Sequence, residues 1–154
     1  MMDPITLQSN LSCESLVLVP HGTGFNGIGE YELTLSGQHW DGDHEHDIKM
    51  HVDSIILSHH KLDELESAIQ AWLQTDQVGV SAFAGTFDLT SHFNSSLRFV
   101  FAEREDIISG DDKPVLTVEY SFSRMSGAFC FVTDQSCLAL FASGIRSHLL
   151  QAAG

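Results

Sequence analysis

The sequence predicts an α+β fold: a strongly curved antiparallel sheet of six to seven strands, folded as a sandwich or half-barrel, with two packed helices at about 61–74 and 134–152. Most of the chain alternates apolar and polar residues with period two between short polar turns, which is typical of consecutive antiparallel strands. Two stretches instead repeat apolar residues at spacings of three and four, which indicates amphipathic helices. A length of 154 residues, 43% of them hydrophobic, predicts a single domain over 1–154, with 1–14 as a loose lead-in.

A glycine motif near the N-terminus matches the residue spacing of a nucleotide-binding loop but not its structural context. Gly22, Gly24 and Gly27 match G-x-G-x-x-G after a short strand at 15–20. A dinucleotide loop must open a helix whose N-terminus meets the phosphates, whereas residues 30–36 alternate as a strand. The motif therefore predicts a glycine-rich turn.

A long-looped hairpin is predicted next, from strands at 30–36 and 47–53 joined by the polar segment 37–46. Alternation turns one set of side chains to the core and the other, largely acidic, set outward. The predicted inward residues are Tyr31, Leu33, Leu35, Ile48, Met50 and Val52.

Two helices and several strands complete the predicted fold. The first helix has an apolar face, with Asp63 and Glu64 in its first turn, and the second follows Thr133 or Asp134 as its N-cap. The two apolar faces comprise Leu62, Leu65, Ile69, Trp72 and Leu73, and Leu138, Phe141, Ile145 and Leu149. Further strands are predicted at 83–90, 96–102, 115–123 and 128–132.

The charge balance restricts the class of partner. Seven Lys+Arg against 21 Asp+Glu give a net charge of −14, which disfavours nucleic acid or an anionic membrane and favours a basic partner. The acidic residues are concentrated, because 13 of the 21 lie within residues 1–76, with only two bases. The first half of the chain is therefore expected to form an acidic face.

Cysteine use and the N-terminus favour a cytoplasmic location. Cys13, Cys130 and Cys137 form no CxxC pair, and their odd number suits a reducing compartment. The Met-Met-Asp-Pro start lacks the basic, apolar character of a signal peptide, and we find no apolar run long enough for a membrane span.

A metal site is the sharper interpretation of the histidine-rich segment. The candidate ligands are His39, His44, His46 and Asp47, since imidazole and carboxylate suit zinc, nickel or copper. Their spacing matches no established motif, however, and a flexible loop loses entropy on closing around an ion. A solvated acidic loop is therefore favoured, no cofactor is expected, and we find no catalytic signature.

An acidic face with an aromatic anchor indicates binding to a basic protein. Charge would accelerate association, and Trp40 would supply desolvated contact area. The predicted partner-binding residues are Glu30, Glu32, Trp40, Asp41, Asp43, Glu45, Asp47 and Asp53. A solvated face without a partner remains the alternative on charge alone.

The order of apolar segments over about 28–152 resembles that of the WapI-type immunity proteins, small bacterial proteins encoded beside polymorphic toxins. The segments are Tyr31-Glu-Leu-Thr-Leu, Asp47-Ile-Lys-Met-His-Val, the helix from Leu62 to Leu73, Leu97-Arg-Phe, Leu116-Thr-Val-Glu-Tyr and the run from Val132 to Phe141. The best local match is Asp134-Gln135-Ser136, which resembles an Asp-Gln-Thr/Ser step in that family. The His/Asp-rich segment at 39–47 departs from the plainer loop of the family.

The resemblance implies a non-enzymatic protein that binds and neutralises a cognate toxin domain, often a basic nuclease. It transfers no binding residues to this chain. The alternatives are a metal-binding or metal-dependent hydrolytic domain, and a scaffold domain that acts through homo-oligomerisation.

Overall fold

The computed structural model describes residues 3–9, 14–74, 85–90, 95–105 and 112–153. The elements are β1 (Ile5–Gln8), β2 (Ser15–Pro20), β3 (Ile28–Asp41), β4 (His44–Ser58), α1 (His59–Leu73), β5 (Gly85–Asp88), β6 (Ser95–Glu105), β7 (Asp112–Phe122), β8 (Met125–Val132) and α2 (Gln135–Ala153). The predicted α+β class, with antiparallel strands and two helices, is confirmed. Residues 83–84 of a predicted strand lie outside the described residues.

The strands form two open sheets of four strands each. Sheet A has the order β1-β2-β3-β4 and sheet B the order β5-β6-β7-β8, with antiparallel pairing throughout. We predicted a single strongly curved sheet of six to seven strands, folded as a sandwich or half-barrel. The eight described strands instead form two separate sheets that are neither closed nor curled, so the strand number, the curvature and the half-barrel are wrong. Helix α1 separates β4 from β5 in the chain, so the later strands begin a new sheet. A backbone hydrogen bond of 2.9 Å from Ser58 N to Leu89 O links the two sheets.

The N-terminal segment is part of the core. Ile5 and Leu7 are buried, and β1 pairs with β2 along its whole length. Gly144 of α2 lies close to Ile5, so the helix packs directly on this strand. The prediction of a loose lead-in at 1–14 is therefore wrong for the strand, whose alternating Ile-Thr-Leu-Gln pattern carries the missed signal.

The β3–β4 hairpin is much longer than predicted. The two strands stay paired as far as Asp41 and His44, and only Gly42 and Asp43 form the turn. Gly42 has a φ of +63°, the conformation that a two-residue type II′ turn requires at its first position and that glycine adopts without strain. The predicted loop at 37–46 is thus strand apart from its turn.

A β-bulge in this hairpin decides which residues of β4 face the core. Tyr31 is opposite Ile55, whereas Leu33 is opposite Val52, so Asp53 and Ser54 together oppose a single residue of β3. The extra residue shifts the inward side of β4 from even to odd positions. Met50 and Val52 pack partly buried before the bulge, and Ile55 and Leu57 are buried after it.

Both helices begin at side-chain caps. Ser58 caps α1 by accepting a hydrogen bond of 3.3 Å from the backbone N–H of Lys61, so the helix begins at His59. Asp63 and Glu64 consequently lie beyond its first turn, contrary to the prediction. Asp134, one of the two predicted caps, begins α2 by accepting a hydrogen bond of 2.8 Å from the N–H of Cys137.

The apolar faces of both helices and both sheets form one hydrophobic cluster. In α1, Leu62, Leu65 and Ile69 are buried. Phe141 of α2 stacks on Phe99 of sheet B, with the ring centroids 6.1 Å apart. Helix α2 therefore contacts sheet B as well as β1 of sheet A.

Arg146 joins the two helices through two carboxylates of α1. Its Nη2 lies 2.6 Å from Oδ1 of Asp63, and it also donates to the carboxylate of Glu66. The Glu66 side chain is buried, so this guanidinium compensates its charge. The hydrogen bonds with Glu66 and Asp63 raise the pKa of Arg146 further above its usual range.

We expect Arg146→Met to lower the free energy of unfolding by about 2 kcal/mol, because it leaves a buried carboxylate without a cationic partner; the half-exposed arginine places the cost below that of a fully buried pair. Adding Glu66→Gln should recover about half of the loss. Urea unfolding of the wild type, both single variants and the double variant measures this coupling. Strictly additive effects would contradict the assignment.

Candidate functional site

Histidine and carboxylate side chains interleave on the outer face of sheet A. Nε2 of His51 lies 3.0 Å from Oε1 of Glu32 and 3.1 Å from Oδ1 of Asp53, while its Nδ1 shares a hydrogen bond of 2.9 Å with Thr34 Oγ1. The bulge brings this about, because it places Asp53 and Ser54 opposite Glu32. One imidazole thus holds two carboxylates together on the surface.

A second histidine extends the same arrangement. His21 lies 3.8 Å from Oε1 of Glu30 and 3.6 Å from Oε2 of Glu32, measured from Nδ1 and Nε2 respectively. Ser54 donates a hydrogen bond of 2.6 Å to Glu30. We call this group the carboxylate–imidazole cluster; its members are His21, Glu30, Glu32, His51 and Asp53.

Beyond the cluster, the hairpin continues as an exposed two-stranded arm. Strand β2 pairs with β3 only as far as Ser36, so residues 38–48 form a ribbon of β3 and β4 alone. All the described side chains of this ribbon are exposed, including Ile48, which is 44% exposed and was predicted to face the core. We call residues 38–48 the hairpin arm.

The predicted partner-binding residues divide between the cluster and the arm. Glu30, Glu32 and Asp53 belong to the cluster. Alternation places Glu45 and Asp47 on the same outer face farther along the arm, Asp41 on the opposite face and Asp43 in the turn. Trp40 pairs in register with Glu45.

The candidate metal ligands do not converge. His39 and His46 are directly opposite each other in the ladder, but Asp47 is next to His46 and therefore points to the other face of the ribbon. His44 pairs with Asp41 at the end of the arm. Within the described part of the chain, no group of three or more His, Cys, Asp or Glu side chains is arranged to hold a metal ion.

An exposed aromatic residue near the cluster was not predicted. Phe25 is 77% exposed and pairs with Ile28 across a tight turn in which Asn26 and Gly27 have φ values of +54° and +76°. Asn-Gly with two positive φ values is the signature of a type I′ hairpin turn, so the glycine motif forms a turn, as predicted, and leads into a strand. The Asn-Gly pair at 26–27 is the sequence signal that could have predicted this hairpin turn, and with it the exposed position of Phe25.

A buried polar group lies where α1, α2 and β3 meet. Tyr31 Oη and His148 Nε2 share a hydrogen bond of 2.5 Å, and the His59 ring meets that of His148 edge-on with centroids 5.8 Å apart. His59 Nε2 and His148 Nδ1 are buried without a hydrogen-bond partner. A Cβ on Gly29 would lie 2.8 Å from Tyr31 Oη and 2.9 Å from His59 Nε2, so only glycine fits here.

Burial governs the ionisation of this group. It raises the pKa of Tyr31 and lowers the pKa of His59. Burial, and then the neighbouring His59, lower the pKa of His148, which is 3% exposed. The imidazoles therefore favour their neutral form in the folded protein, and the cluster of three rings acts as a structural junction.

Comparison of the chain with protein-family models, curated proteins and solved structures gives no match. Neither of the two helices in the described ranges is long and apolar enough to cross a lipid bilayer.

We expect stability to fall as the pH decreases below about 6.5, the ordinary pKa of histidine, until it passes the folded-state pKa values of His59 and His148. In that window the unfolded chain binds more protons than the folded chain. The free energy of unfolding therefore falls by at most about 1.4 kcal/mol per pH unit for each such proton. His148→Gln should flatten this dependence in urea unfolding between pH 8 and pH 5. His44→Gln, at an exposed arm position, is the control, and equal slopes in all three proteins would refute the assignment.

Proposed function

We propose that this chain is a non-enzymatic immunity or inhibitor protein that binds and neutralises a basic, nuclease-like toxin domain. The contact surface would be the outer face of the β3–β4 hairpin, from the carboxylate–imidazole cluster to the end of the hairpin arm. The resemblance to WapI-type immunity proteins supplies the class of protein, and the placement of the carboxylates supplies the surface.

The observation that carries the proposal is the concentration of carboxylates on one exposed, rigidly paired element. Glu30, Glu32, Glu45, Asp47 and Asp53 lie on the same face of a hairpin whose register is fixed by a turn and a bulge. Lys49 is the one basic residue on the described outer face of this hairpin. Such a face attracts a cationic surface over a distance and fixes its orientation on contact.

The histidines of the cluster add specificity to simple charge. His51 lies 3.0 Å from the carboxylate of Glu32 and 3.1 Å from that of Asp53, and His21 lies 3.8 Å from Glu30 and 3.6 Å from Glu32, so a partner meets closely spaced acceptors. Arginine is the side chain best suited to such acceptors, because its planar guanidinium binds carboxylates in a bidentate manner. Phe25, which lies between His21 and Glu30 in the chain, is exposed and offers apolar contact area to a partner.

The metal-dependent alternative receives less support. The divergence of His46 and Asp47 on opposite faces of the ribbon separates two of its four candidate ligands. A protein partner requires no such convergence, because rim charges act by their summed field.

Three variants, each lacking three carboxylates, test the surface. The cluster variant is Glu30→Gln/Glu32→Gln/Asp53→Asn, and the arm variant is Asp43→Asn/Glu45→Gln/Asp47→Asn. The control is Asp3→Asn/Glu64→Gln/Glu119→Gln, at exposed or half-exposed positions outside the hairpin. Immobilised wild type should retain a basic protein from the source organism's lysate at low salt and release it at high salt, with identification by mass spectrometry. The purified partner should then associate about ten-fold or more slowly with the cluster and arm variants.

The control variant has the same net charge as the other two, so it separates a local surface from overall charge. It should associate within about three-fold of the wild type, since rim charges remote from a contact have little effect. Equal slowing by all three variants would reduce the effect to net charge. The proposed function would be overturned if the immobilised protein retained no basic protein. It would also be overturned if the cluster and arm variants retained that protein as well as the wild type does.

A further inference from the structure

The outer edge of β4 is a long, regular strand edge that another strand could extend. Among the described residues, β3 is the ladder partner of β4 throughout 44–52, and β4 ends sheet A. This nine-residue segment begins at the turn, ends at the bulge and is paired without interruption between them. Its other side directs alternate backbone N–H and C=O groups outward, which is a template for strand addition.

We propose that a second copy of this chain occupies that edge, so that two β4 strands pair antiparallel about a two-fold axis at Ile48. Full overlap of the segment 44–52 with itself allows this one centre, because Ile48 is its middle residue. The same patch would then be used by both copies, as an isologous interface requires.

The charge pattern of the segment matches this register. With Ile48 opposite itself, Asp47 of each copy is opposite Lys49 of the other, and Glu45 is opposite His51. Opposite charges in directly facing positions stabilise antiparallel pairs, and like charges destabilise them. Moving the centre by one residue places Asp47 opposite Asp47, although Glu45 is then opposite Lys49, or places Lys49 opposite Lys49. Of the three registers, the one centred at Ile48 has no pair of like charges within 44–52.

The exposed isoleucine fits the same arrangement. Ile48 is 44% exposed, on a ribbon whose other described side chains are polar. The two-fold axis would bring Ile48 of one chain into contact with Ile48 of the other. Dimerisation would also place the two carboxylate–imidazole clusters on the same face of one continuous eight-stranded sheet. It would pair the backbone groups of a strand edge that is otherwise open to non-specific association. The proposal is independent of the toxin-binding function.

Sedimentation velocity of untagged protein over a concentration series, at 0.15 M salt and pH 7.5, tests the dimer. We expect a reversible change from 16.9 kDa to twice that mass. Asp47→Lys alone and Lys49→Asp alone should each weaken dimerisation about ten-fold or more, because each opposes like charges at two positions. The double variant Asp47→Lys/Lys49→Asp has the wild-type composition and should return to within about three-fold of wild type.

A cysteine pair identifies the axis. In a Cys130→Ser background, which removes an exposed native thiol, Ile48→Cys should form a disulfide-linked dimer on mild oxidation. Ile28→Cys, at an isoleucine that is 38% exposed and lies off the edge, is the matched control and should form no disulfide-linked dimer. A monomer at every concentration would overturn the proposal. A dimer that is unaffected by Asp47→Lys and by Lys49→Asp, and that Ile48→Cys does not cross-link, would also overturn it.

Discussion

A β-bulge at Asp53 and Ser54 determines which residues of β4 reach the core and which reach the surface. The sequence of β4 has apolar residues at 48, 50 and 52 and again at 55 and 57, and a regular strand cannot turn both sets to the same face. One extra residue opposite Glu32 resolves the conflict and lets β4 contribute to the core on both sides of the bulge. The same bulge brings Glu32, His51 and Asp53 together on the surface. The inward positions of β4 and the carboxylate–imidazole cluster therefore have a common cause.

The helices depend on the other end of this hairpin. Ser58, the last residue of β4, caps α1, and Tyr31 of β3 holds His148 of α2. Arg146 then links α2 back to α1. Packing alone would leave the rotation of two amphipathic helices weakly defined, whereas buried polar contacts with single geometries make one arrangement preferable, although each buried polar group has a desolvation cost.

Period-two alternation predicted much of the fold correctly. The strand at 15–20, the buried face of β3 and the strands corresponding to β6 and β7 follow from alternation, and both helices follow within two residues from apolar spacings of three and four. The cap at Asp134 was equally readable, because its side chain can satisfy free N–H groups of the first turn. These features depend on neighbours in the sequence.

Features that depend on distant partners could not be predicted in the same way. The arm lacks an apolar face, so no periodicity marks it as strand. Gly42 lies within the predicted loop at 37–46, and its composition alone does not specify a two-residue turn. His148 is polar by type and buried only because Tyr31 is its partner across the fold. The division into two sheets depends on where the chain resumes after α1, which strand patterns do not specify.

The candidate site shows the same division. Outward positions of Glu30, Glu32 and Asp53 followed from alternation, but the approach of Asp53 to His51 and Glu32 depends on the bulge. Once formed, the cluster and the arm make one continuous ladder, so binding at either part would restrain the backbone of the other.

Hydrogen–deuterium exchange of the captured complex would show whether the β3–β4 hairpin is the contact surface. Free and partner-bound protein would be compared at the same concentration, peptide by peptide. We expect slower exchange on binding within 28–58, greatest in the arm at 38–48, with little change in α2. Protection confined to α2 or to sheet B, with the hairpin unchanged, would contradict it.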